Sequence, residues 1–136
     1  MRALGEMRSL KASCFLNRPP DIVYAHWISP ETVIPPAISL EIHAVVGGIY
    51  RIDIPGGVSM IGRFIELEPG RRLVYSWQWE GNSEITNVEV KFIDHYAGTE
   101  VKITHSGFTT EQSFRDHSLG WESYLEGFNE HLANVT

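Results

Sequence analysis

The hydrophobic pattern of this chain changes period near Thr110, and that change limits the folds open to it. Upstream, apolar positions recur mostly every second residue in short runs. From Thr110 to Asn134 they recur at helical spacing. At about 100° per residue, Phe114, His117, Ser118, Trp121, Tyr124, Leu125, Phe128 and Leu132 share one side, and Arg115, Asp116, Glu122, Glu126 and Glu130 the other. Thr110 and Glu111 supply a helix start. Such a helix of about 24 residues is roughly 35 Å long. Gly120 and Gly127 each weaken it by roughly 1 kcal/mol relative to alanine, so packing has to supply the difference. Leu119 falls outside the apolar arc, as an exposed residue or a partner contact.

The upstream runs read as strands. Leu10, Ala12, Cys14 and Leu16 alternate with Lys11 and Ser13 until Pro19-Pro20 removes two ladder donors. Ile22, Val23, Ala25 and Trp27 predict a helix of about two turns. Ser29-Pro30-Glu31 reads as a second helix start, stopped at once by Pro35-Pro36. Strand runs follow over 39–46, 49–54, 58–68 and 72–79, separated by Gly47-Gly48, Pro55-Gly56-Gly57 and Pro69-Gly70. In the fourth, Leu73, Tyr75, Trp77 and Trp79 share a face. Two more strands set Val88, Val90 and Phe92, then Val101, Ile103 and His105, on one side, with Ala97-Gly98 as the turn between them. Short connections imply an antiparallel meander.

An antiparallel sheet with one apolar face needs a cover, and only the C-terminal helix is long enough. The expectation is an α+β helix-grip fold. A curved antiparallel sheet of six to seven strands wraps a long C-terminal α-helix, with two short helices after the first strand. Residues 1–9 read as a loosely ordered arm and 10–136 as a single domain, since 136 residues suit one core. A curved sheet gripping a straight helix leaves gaps, and such gaps become ligand cavities.

Lys plus Arg number 11 and Asp plus Glu 17, a formal charge of −6 that repels phosphate backbones; the longest basic cluster is Arg71-Arg72. Nucleic acid is therefore not an expected partner. No apolar run approaches the roughly 20 residues that span a bilayer, so no membrane insertion is expected. The first ten residues lack a signal-peptide core, and Cys14 alone cannot form an internal disulfide, which favours a cytoplasmic location. The six histidines show no metal-binding spacing, and no phosphate or dinucleotide loop occurs. Neither a metal nor a cofactor is expected.

Four segments carry a family resemblance. Arg18-Pro19-Pro20-Asp21-Ile22-Val23-Tyr24-Ala25-His26-Trp27-Ile28-Ser29-Pro30-Glu31 is similar to the opening helix pair of the SRPBCC, or START-like, superfamily. Gly47-Gly48-Ile49-Tyr50-Arg51-Ile52 resembles its glycine turn into a strand. Residues 62–69 and 72–79 resemble its central hairpin, and Thr104-His105-Ser106-Gly107-Phe108 with Gly120-Trp121 the junction into its last helix. The likeness covers about residues 10–132 and is nearest to the activator of heat-shock-protein-90 ATPase-like branch. One departure is Val33-Ile34-Pro35-Pro36, where members often carry a tryptophan-rich segment. The resemblance implies the helix-grip fold with an internal cavity and, alternatively, contact with a chaperone or another protein partner.

The candidate ligand-binding residues are Met60, Phe64, Tyr75, Trp77, His105, Phe114, His117, Trp121 and Tyr124. His105 and His117 lie on apolar faces, so each either points into a cavity or is a paired core histidine. Trp77, Trp79, Tyr75 and Trp121 form a pocket wall or plain core. Gly62 leaves room beside Met60 and Phe64 for a cavity, a bulge or a close approach. Glu66, on that same face, is a pocket acid or reaches water at the strand end. Three functions compete: a module binding a hydrophobic small molecule, a protein-interaction domain, and a small hydrolase, cyclase or dehydratase using cavity histidines. No residue is assigned a catalytic role. Exposed strand edges also permit a homodimer.

Overall fold

A computed structural model of the protein describes residues 8–96 and 98–135. Most of the expected N-terminal arm, residues 1–7, lies outside them, as does Ala97 of the expected 97–98 turn. The first strand, β1, runs Arg8–Leu16, so Arg8 and Ser9 belong to it. The helix α1 (Pro20–Trp27) follows, with Pro20 in its first turn, where a missing N–H goes unnoticed. Six strands come next: β2 (Ser39–Ile42), β3 (Ile49–Ile54), β4 (Val58–Glu68), β5 (Arg72–Trp79), β6 (Thr86–His95) and β7 (Gly98–Phe108). The chain ends in α2 (Glu111–Asn134).

All seven strands form one antiparallel sheet in the order β1-β7-β6-β5-β4-β3-β2. Its two edges are β1 and β2. The inward side chains follow the alternation of the sequence: Leu10 and Leu16, Leu73 and Tyr75, Val88, Val90 and Phe92, and Val101, Ile103 and His105 are all buried. Across them lie Trp121, Leu125, Phe128 and Leu132 of α2, spaced four, three and four residues apart. Each such burial stabilises the fold by about 1.5–3 kcal/mol.

Both ends of α2 are tied down. The Thr110 hydroxyl accepts a 3.0 Å bond from the Ser113 amide, capping the start. At the other end the Arg18 guanidinium donates to the carbonyls of Leu132 (3.0 Å) and Val135 (2.8 Å), placing a cation at the negative helix terminus.

Three expectations need correction. There is one short helix after β1, not two. After α1, Ser29 Oγ accepts from the Glu31 amide, and Ser29 and Glu31 carbonyls close isolated turns to Thr32 and Val33. Pro35 and Pro36 then leave no room for a helix to propagate. The strand expected over 39–46 stops at Ile42. Glu66 does not share the inward face of Met60 and Phe64. The β4–β5 register slips between Phe64 and Glu66, so one extra residue turns Glu66 outward onto Arg72.

Candidate functional site

A cavity of about 630 Å³ lies between α2 and the half of the sheet formed by β2, β3, β4 and β5. The volume falls in the range of small-molecule sites. The lower half of α2 packs on the core, whereas the first half faces the diverging end of the curved sheet. One wall comes from β3, whose Tyr50, Ile52 and Ile54 all point inward, with Leu40 and Val58 beside them. A second wall is Trp77 and Trp79 of β5. The roof is one stripe of α2: Gln112, Ser113, Asp116, His117, Gly120, Trp121 and Tyr124. Thr32, Ile34 and Pro35 to Ala37, the segment that failed to become a helix, close one side.

The candidate residues separate into two groups. Trp77, His117, Trp121 and Tyr124 line the cavity. Met60, Phe64, Tyr75 and His105 are buried behind its wall, with relative exposures of 0, 1, 0 and 0 %. Phe114 is not on the lining and sets its ring edge-on to Phe108, with centroids 6.0 Å apart. Gly62 does not leave space. A Cβ there would collide with the Ser76 carbonyl oxygen, so the glycine marks a close approach of β4 to β5.

Both histidines are fully engaged. Trp121 Nε1 donates to His105 Nδ1 (3.0 Å), which fixes the hydrogen on Nε2; Nε2 then donates to Thr86 Oγ1 (2.7 Å), and Thr86 donates to the Trp77 carbonyl (3.2 Å). Burial first, and then the neighbouring His117, push His105 down from 6.5 to about 3. In His117 the opposite tautomer is required. Nδ1 donates to the Ser113 carbonyl (2.7 Å), while Nε2 receives the indole N–H groups of Trp77 (3.2 Å) and Trp79 (3.0 Å). Three indoles thus spend their polar N–H inside the protein and leave carbon surface for the lumen.

A second polar group sits on the floor. The hydroxyls of Tyr75 and Tyr124 both lie near that of Tyr50, and Trp27 Nε1 donates to Tyr75 at 3.4 Å. Tyr50 and Tyr75 also stack, with centroids 4.8 Å apart and planes 7° from parallel. Burial pushes Tyr50 up to about 12 and moves Tyr75 and Tyr124 in the same direction. Tyr50 and Tyr124 both border the cavity, so a hydroxyl there can donate to an acceptor.

The mouth is acidic. Glu84 accepts from Ser113 Oγ (2.6 Å), the Thr109 amide (2.7 Å) and the Thr109 hydroxyl (2.8 Å). Burial would raise its pKa, but these hydrogen bonds outweigh it and hold the carboxyl below its usual range. Asp116 is exposed and accepts from Gln112 Nε2 (2.8 Å). Among the described residues, no group of three or more His, Cys, Asp or Glu side chains is gathered as metal ligands would be.

Sequence reasoning missed Tyr50, Ile52 and Ile54, although their alternation was plain; what was missing was the knowledge that β3 stands opposite α2. Ser113 and Gly120 repeat at the spacing of His117 and Trp121 and could have been found from it, whereas Asp116, read as part of the opposite arc, stands at its edge and borders the cavity. Glu84, in a loop, carries no local signal.

The family model described as Activator of Hsp90 ATPase homolog 1-like protein matches residues 17–133. Several solved structures share the fold. A protein of Mesorhizobium loti, 17% identical, superposes with a TM-score of 0.86 over 95% of this chain and 99% of its own. An AHSA1-like protein of Rhizobium etli is 28% identical, with a TM-score of 0.75 over 98% and 86%. An HSP90 activator from Plasmodium falciparum is 19% identical, with a TM-score of 0.76 over 92% and 96%. No curated protein matches the chain.

Proposed function

Because this chain belongs to the Activator of Hsp90 ATPase homolog 1-like family, we propose that it uses the family's fold to bind a hydrophobic small molecule between α2 and the sheet. The observation that carries this reading is the aromatic cavity whose tryptophans and histidines have already satisfied each other. Its lining offers apolar area and few polar groups, and each Å² of apolar area covered is worth about 25 cal/mol. The floor hydroxyls of Tyr50 and Tyr124 orient an acceptor on the ligand.

Both ring nitrogens of His105 and of His117 are engaged within the protein, which favours binding over proton transfer. A reducing, cytoplasmic setting agrees with the lone Cys14, whose thiol burial pushes up to about 11. Among the described residues, no helix is long and apolar enough to cross a membrane.

The test is a fluorescence titration with N-phenylnaphthylamine, a neutral apolar dye. Wild type is expected to bind it saturably. Gly120 borders the cavity, and a Cβ there meets nothing within 4 Å, so a side chain can start from this position and Gly120→Phe places a ring at the lining. That variant is expected to stay folded and weaken dye binding at least about tenfold, roughly 1.4 kcal/mol. Undiminished binding in Gly120→Phe overturns the reading.

A further inference from the structure

We propose that the cavity selects by charge: it accepts an apolar molecule ending in an amine cation and turns away the corresponding carboxylate. This rests on the reading above and adds the chemical class of the ligand's polar end. Among the described residues lining the cavity there are two carboxylates, Glu84 and Asp116, and no lysine or arginine. Both carboxylates are at the mouth, beside the first turns of α2.

The charged groups around them do not cancel this field. Arg115, the basic neighbour of Asp116, pairs with Glu111 at 3.4 Å on the outer side of α2. Arg51 bonds Asp53 and Ser59, and Arg72 is held by Glu66, Glu68 and Glu89. Arg63 donates to the Gly47 carbonyl, and Arg18 to the far end of α2. His117, on the lining itself, receives two indole N–H groups at Nε2 and therefore presents no donor there. At the other end, His26 Nδ1 and His131 Nε2 lie 3.1 Å apart, and burial together with His26 lowers the pKa of His131.

The walls add to the preference. With their N–H groups turned to His105 and His117, Trp77, Trp79 and Trp121 offer π surface, which attracts cations. A carboxylate entering the same space loses hydration, faces two like charges, and finds no basic side chain to pair with. A hydroxyl of the tyrosine floor serves a neutral acceptor but does not neutralise an anion.

The experiment uses three probes with one body: phenylbutylamine, phenylbutanol and phenylbutyrate. Each is titrated at neutral pH into the full chain while the indole N–H resonances of Trp77, Trp79 and Trp121 are followed by NMR. The amine is expected to bind roughly tenfold tighter than the carboxylate at low salt, with the alcohol between them. The gap is expected to narrow as salt shortens the Debye length. In Asp116→Lys, an exposed position, the amine-to-carboxylate ratio is expected to fall below that of wild type. Equal or tighter binding of phenylbutyrate by wild type overturns the charge selection alone. An unchanged ratio in Asp116→Lys does the same. If even the alcohol leaves all three indole resonances in place, the binding reading itself falls, and this inference with it.

Discussion

His105 is the residue whose environment most departs from what its type prefers. A neutral imidazole in the core is tolerable only when both nitrogens are paired, and Trp121 and Thr86 pair them. The consequence is a pH dependence of known sign. Its folded pKa, about 3, lies below the ordinary 6.5, so on acidification the unfolded chain takes the proton first. The stabilisation is complete above 6.5 and is lost progressively as pH falls toward about 3. Its full size is on the order of a few kcal/mol. Glu84, whose carboxyl is held low by its hydrogen bonds, adds a loss of the same sign. Urea unfolding from neutral to acid pH is expected to show stability falling steadily, with a shallower fall in His105→Gln. An equal slope in the variant, or a His105 ring that titrates near 6.5 by NMR, contradicts the pairing described.

The two glycines of α2 separate propensity from packing at the scale of an element. Read as sequence, Gly120 and Gly127 weaken the helix equally. In the fold they differ. A Cβ at Gly120 meets nothing, whereas one at Gly127 collides with Cγ2 of Ile34, itself only 4 % exposed. Gly120→Ala is therefore expected to stabilise the protein by about 0.5–1 kcal/mol. Gly127→Ala is expected to destabilise it by about 1 kcal/mol or more, because a β-branched core side chain has to shift. Thermal and urea unfolding of the pair check this, and shifts of the same sign would contradict it. The same contrast marks how far elements were legible. Face assignments in β1, β5, β6 and β7 and the stripe of α2 were readable because burial imposes period. Glu66 was not, because the single-residue slip before it inverts every later face of β4. Residues 29–34 carried good helix-start chemistry, but Pro35-Pro36 is a tertiary boundary that propensity at the N-terminus cannot offset.

At the scale of the molecule, the sheet and α2 have different curvatures, and the cavity is where they part. That general shape was legible from one long helix facing many short strands. Which residues border it was only half legible. Trp77, His117, Trp121 and Tyr124 were found from periodicity within their own elements. Tyr50, Ile52, Ile54 and Leu40 reach the cavity through topology, since β2 and β3 form the far edge of the sheet, and Glu84 reaches it from the loop between β5 and β6. The exposed apolar residues Val45, Val46 and Ile65, at 63, 71 and 45 % exposure, lie outside the lining and offer a rival apolar surface. The most direct measurement is therefore a set of intermolecular NOEs from bound N-phenylnaphthylamine. The account predicts contacts to the methyl groups of Ile34, Leu40, Ile52 and Ile54. Contacts confined to Val45, Val46 and Ile65 would place the dye on the outside and contradict it.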